Sequence, residues 1–133
     1  MHILIIDAQG GGIGKQLVSA IKANFPAYRV TAVGTNSAAT AAMLKAGADD
    51  AATGENAVAV CCKRVDVILG PIGIVIADSM LGEVTPKMAV SVGQSAAKRI
   101  LIPVSHCDSI VVGVDDLAMG KLIQNAVEKL RAL

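Results

Sequence analysis

The stretch HILIIDAQGGGIGK, residues 2–15, decides the fold. His2 to Asp7 is a short apolar run ended by an acid, which reads as a buried strand. Gly10, Gly11, Gly12 and Gly14 come next. From Ile13 to Asn24 apolar residues recur at 13, 17, 18, 20 and 21, the periodicity of an amphipathic helix. A glycine turn between a buried strand and a helix is the opening unit of a doubly wound α/β domain. The first backbone N–H groups of such a helix lack partners and carry partial positive charge. The loop Gly10–Lys15 is therefore the first candidate for holding a phosphate.

Working outward, strands and helices alternate. Pro26 stops the first helix, and Arg29 to Gly34 reads as a second strand. Thr35-Asn36-Ser37 offers caps for the Ala-rich helix 38–46, and Gly47 fits its end. Ala48 to Ala52 reads as a short third strand, followed by a helix through about Lys63. Asp66 to Gly70 is a fourth strand, and Pro71 suits the first turn of a helix to about Met80. Thr85-Pro86 repeats the cap-then-proline signature before a helix from Lys87 to about Ala97. Arg99–Val104 and Ser109–Val114 read as two further strands. Asp115-Asp116 then opens a last helix with the stripe Met119, Leu122, Ile123, Ala126, Val127 and Leu130. The expected fold is one α/β domain over residues 1–133. It is a doubly wound, mostly parallel Rossmann-like sheet of about six strands, order 3-2-1-4-5-6, with helices on both faces.

Composition narrows the function classes. Hydrophobic residues make up 53% and charged residues 17%, which excludes a disordered tail. With one Tyr, one Phe, no Trp and a net charge of +1, neither stacking platforms nor a phosphate-backbone footprint is present, so nucleic acid is not the expected partner. No apolar run approaches the roughly 18 residues of a membrane span. The start of the chain does not read as a signal peptide, and three cysteines are most simply reduced thiols, so a cytoplasmic protein is expected. A mean hydropathy of +0.59 and the segment Pro71–Leu81 point to spare apolar surface, hence to a homo-oligomer.

The glycine loop approaches three fingerprints without completing any. G-x-G-x-x-G would need glycine where Lys15 stands. G-x-x-x-G-x-G fits Gly12 and Gly14 but has Ala8 at its first glycine. A P-loop would need Ser or Thr at Gln16. A tight turn alone is the alternative explanation of the glycines. In a dinucleotide site an acid about 20 residues on binds the ribose. Here Gly34-Thr35-Asn36-Ser37 is uncharged, so Thr35 and Asn36 are candidates for a ribose hydroxyl or a 2′-phosphate, with helix capping as the alternative. Gly70 and Pro71, after the fourth strand, would close the pocket opposite. The expected cofactor is NADP or another phosphate-bearing nucleotide.

Asp78, Ser79 and Glu83 are the candidates for acid, base or nucleophile, against a plain reading as caps and loop edge. No Tyr-x-x-x-Lys pair and no nucleophile elbow accompany them. His106-Cys107-Asp108 lacks the further ligands of a metal site.

The segments DAQGGGIGK (7–15), GTNSAAT (34–40), LKAGADDAATGEN (44–56), DVILGPIGIVIADSMLGEVTP (66–86) and KRILIP (98–103) together resemble a small bacterial family described as a domain of unknown function, DUF3842-like. The resemblance implies a short, stand-alone Rossmann-like protein and gives no catalytic residue. Three readings remain: a nucleotide-binding module, an oxidoreductase completed by a second subunit, and a non-catalytic oligomeric regulatory module.

Overall fold

The computed structural model describes residues 1–104, 108–114 and 117–133. Strands β1 (His2–Asp7), β2 (Arg29–Gly34), β3 (Asp50–Thr53), β4 (Val67–Pro71) and β5 (Lys98–Ile102) form one parallel sheet in the order β3-β2-β1-β4-β5. Helices α1 (Gly12–Asn24), α2 (Ser37–Lys45), α3 (Glu55–Cys61), α4 (Pro86–Gln94) and α5 (Met119–Arg131) cover its two faces.

The side-chain alternation of the central strand divides the core. Ile3 and Ile5, with Val30, Ala32, Val67 and Leu69, pack on Leu17, Ile21, Met43, Ile123 and Leu130 of α1, α2 and α5. Leu4 and Ile6, with Val33 and Ile68, pack on Val58, Met88 and Val92 of α3 and α4. A strand buried on both faces must be apolar at every position, which explains the unbroken run at residues 3–6. Each such Ile or Leu contributes about 1.5–3 kcal/mol by leaving water.

Two expectations are corrected. Ser109–Val114 forms no sixth strand; Ile110 and Val112 are each 93% exposed. Its β-branched residues favour extended backbone, but strand propensity is expressed only against a neighbouring strand, and the described sheet ends at β5 without it. Pro71–Met80 forms one 3₁₀ turn, Ile72–Val75, rather than a helix. Beyond it Asp78, Met80, Leu81 and Gly82 all have φ between +56° and +86°, which a right-handed helix excludes. They belong to a strap, residues 76–84, closed on itself by Asp78 N–H donating to the Val84 carbonyl at 2.7 Å and Val84 N–H to the Ser79 carbonyl at 3.3 Å. Asp115 and Asp116, expected to open the last helix, lie outside the described residues. Among the described residues no helix is long and apolar enough to cross a membrane.

Candidate functional site

At the carboxyl edge of a doubly wound sheet the connections from adjacent strands diverge, and here they do so between β1 and β4. A cleft of about 180 Å³ opens there, lined by Asp7 through Gly10, Gly12 and Ile13 on one side and by Pro71, Met80 and Val104 on the other. The strap roofs it through Met80.

The glycines of the loop divide into two kinds. Gly11 has φ +72° and a Cβ there would lie 2.9 Å from the Ala39 Cα; a Cβ on Gly14 would lie 2.5 Å from Met43 Sδ and 2.8 Å from Asp7 Cβ. These two are demanded by the turn and by the packing of α1 on α2 and β1. Gly10 and Gly12 are different. Their φ is not positive, and a Cβ on either would meet nothing within 4 Å among the described residues. Both face the cleft. Gly70, expected to close the pocket, is explained by packing, since its Cβ would lie 2.4 Å from the Ile6 carbonyl oxygen; Pro71 does line the cleft.

Asp7, at the end of β1, is 4% exposed. Its carboxylate accepts from Ala8 N–H at 2.8 Å and from Gly14 N–H at 2.7 Å. Burial pushes its pKa above the ordinary aspartate value; the amides of Gly14, Ala8 and Ile13 pull it back, and the charge of Glu83 adds to the rise. Part of the positive end of α1 is thus already matched by an internal carboxylate. The amides of Gly10 and Gly12 have no partner among the described residues. Lys15, on the exposed first turn, has no side-chain partner among the described residues either.

Thr35 and Asn36 follow β2. Asn36 Oδ1 caps α2 by accepting from Ala39 N–H at 2.9 Å, so the capping role is real. Its Nδ2 has a second task, donating to the Gln9 carbonyl at 2.9 Å and to Glu83 Oε1 at 2.7 Å. Glu83 Oε1 also accepts from Thr35 Oγ1 at 2.8 Å and from Gln9 N–H at 2.8 Å. Burial raises the Glu83 pKa, but these three donors together bring it below the ordinary glutamate value. The strap therefore carries a carboxylate across the top of the sheet, from β4 to the end of β2. Ser79 is buried and its hydroxyl donates to the Gly73 carbonyl at 2.5 Å, tying the strap to the 3₁₀ turn. Asp78 is exposed, and its carboxylate has no partner among the described residues. The structure thus brings Thr35, Asn36 and Glu83 together at Gln9 of the glycine loop, next to the cleft that Gly10 and Gly12 line; Asp78 and Ser79 join neither group.

Sequence reasoning missed Asp7 and Gln9 as site residues. An acid directly before a glycine loop and seven residues ahead of Gly14 was the available signal for Asp7. Larger grooves lie elsewhere among the described residues: about 480 Å³ between α3 and α4, about 350 Å³ between β5 and α5, and about 330 Å³ around His2, Arg29 and Asp50 at the amino edge of the sheet. Among the described residues no group of three or more His, Cys, Asp or Glu is placed to hold a metal, and His106 and Cys107 lie outside them.

Residues 2–133 match the family described as a domain of unknown function (DUF3842). The chain belongs to that family. No curated protein sequence matches the chain. Among solved structures, AibC is 19% identical with a TM-score of 0.51, over 95% of this chain and 32% of AibC. A dodecameric FMN-dependent UbiX-like decarboxylase from Escherichia coli O157:H7 is 16% identical with a TM-score of 0.47, over 98% of this chain and 76% of that one. The DUF3842 chain thus spans about a third of the length of AibC, with which it shares a fold.

Proposed function

We propose that this DUF3842 protein is a binding module for a phosphate-bearing nucleotide, held in the cleft over Gly10–Lys15. The observation that carries the reading is the pair Gly10 and Gly12. The turn explains Gly11 and helix packing explains Gly14; among the described residues no close contact requires glycine at the other two, and both line the cleft wall. Glycine at such a position lets an anion reach backbone N–H groups. The amides of Gly10 and Gly12 supply donors, and Lys15 supplies the nearest cation on the same loop. Asp7 below them limits the charge the site tolerates, which favours a phosphate ester or diester over a free polyphosphate tail. Calorimetric titration with ATP, AMP, NAD, NADP and FMN tests the reading. Binding of at least one at micromolar to submillimolar Kd is expected, and silence from all five at millimolar concentration refutes it.

A second reading concerns assembly and rests on a different surface. Ile110 and Val112, each 93% exposed, precede Gly113 and Val114, which line a groove of about 350 Å³ with Ile100, Ile102, Leu117 and Leu122, beside β5 at the edge of the described sheet. Self-association there would cover this apolar surface. Ile110→Asp with Val112→Asp is expected to lower the mass measured by light scattering; a wild-type protein monomeric at high concentration refutes it.

A further inference from the structure

The end of β2 carries no acid, yet the fold delivers one there from a distant loop. We infer that Glu83 reads the ribose of the bound nucleotide, selecting a free 2′-hydroxyl and excluding a 2′-phosphate. The inference rests on the nucleotide reading above and names the ligand class of that site.

Position is the first argument. The Glu83 carboxylate lies within 2.8 Å of the Gln9 amide in the glycine loop and of Thr35 Oγ1 just past β2. In doubly wound sheets the ribose next to the glycine loop lies at the end of the second strand, and a carboxylate there holds its hydroxyls. Glu83 reaches that point from the β4–α4 connection.

Orientation is the second. Gln9, Thr35 and Asn36 all donate to one oxygen, Oε1. Oε2 has no donor among the described residues, and the side chain is only half-buried, so one acceptor oxygen is left unfilled next to Gln9 of the cleft wall. A carboxylate oxygen with both lone pairs free suits a hydroxyl donor. Both sides of the strap are tied down, by the buried Val84 next to Glu83 and by the Ser79 hydroxyl on the Gly73 carbonyl.

Charge is the third. A 2′-phosphate brings about −1.5 to −2 charges at neutral pH. It would meet ionised Glu83, with Asp7 close behind. No Lys or Arg bonds Thr35, Asn36 or Glu83 among the described residues. A site for a 2′-phosphate would need such a cation. Thr35 and Asn36 alone fit either ligand; with Glu83 bound to both, they fit the diol.

The test uses matched pairs differing only at the 2′ position, NAD with NADP and AMP with adenosine 2′,5′-bisphosphate, titrated into the wild type and Glu83→Gln. The wild type is expected to bind the unphosphorylated member at least about tenfold more tightly. In Glu83→Gln that ratio should fall below about threefold. Equal or tighter binding of the 2′-phosphorylated member by the wild type overturns the inference without any variant. So does binding of FMN alone, which has no ribofuranose. An equal gain in affinity for both members in Glu83→Gln also overturns it, because Glu83 would then be an internal plug of the site. Those three outcomes leave nucleotide binding standing, whereas failure of every nucleotide to bind the wild type removes both readings.

Discussion

Gly12→Ala tests the ligand contact proposed for Gly12 against the structural role of Gly14. Gly12 is the first residue of α1, and an added methyl meets no heavy atom of the described residues within 4 Å. Replacing glycine where the backbone already suits alanine narrows the unfolded ensemble at no cost to the folded state, a gain of about 0.4–1 kcal/mol. In a chain of 133 residues that corresponds to a Tm about 1–4 °C higher. The same methyl would stand on the wall of a cleft of about 180 Å³ and would keep the proposed phosphate off the Gly12 amide. Loss of one charge-assisted hydrogen bond costs about 1.5–3 kcal/mol, or about a ten- to hundredfold loss of affinity. Stability and binding therefore move in opposite directions. Gly14→Ala is the control: its methyl would overlap Met43 and Asp7, and overpacking of this kind costs about 1–3 kcal/mol. Scanning calorimetry and titration with the tightest nucleotide measure both quantities. Unchanged affinity in Gly12→Ala, or a Tm below wild type, would refute the assignment.

Three further outcomes are expected. Asp7 has a raised pKa, so the folded chain holds that proton more tightly than the unfolded one; its contribution to stability is full below the ordinary aspartate value and declines as pH rises through the raised one. In urea titrations Asp7→Asn should therefore gain stability relative to wild type between pH 3 and pH 7, and the opposite trend would show that the amide bonds outweigh burial. Leu81 is 99% exposed with φ +58°, so its side chain contributes strain without packing. Leu81→Asn, which tolerates that backbone, should add roughly 0.5 kcal/mol to the unfolding free energy; a loss would mean that the leucine packs. Burial, with Cys61 adding, pushes the Cys62 thiol up to about 11. Peptide mapping after iodoacetamide at pH 8 should find Cys62 alkylated far more slowly in the folded than in the urea-unfolded chain, and equal rates would contradict its burial.

The sheet was legible because its evidence is local. A continuous apolar strand, a glycine turn and a 3.6-residue period sit side by side in residues 2–24, and β2, β4 and α4 carry similar punctuation. Ser109–Val114 was misread because β-branched composition says nothing of whether a neighbouring strand is available. The strap was misread for another reason: IGIVIADSMLG is as apolar as a buried helix, and nothing in it announces successive left-handed residues. Burial of Ile74 and Val84 at either side sets that path. Gly10 and Gly14 look alike in sequence and separate only when the space beside each α-carbon is known. Glu83 stands 48 residues from Thr35 and 47 from Asn36, so its arrival at the end of β2 is a property of topology alone. Residues 34–37 carry no acid, and nothing local in the sequence announces that Glu83 stands beside them.

The tip of the strap has a practical use that follows from its exposure. The chain contains no tryptophan, and Leu81 stands in solvent two residues from the carboxylate that bridges three loops. A single indole introduced by Leu81→Trp would be the only strong fluorophore in the molecule, seated where the roof of the cleft turns. Its emission would report, in real time and without a label, whether the rim of the sheet shifts when a small molecule enters, and at what rate it settles back.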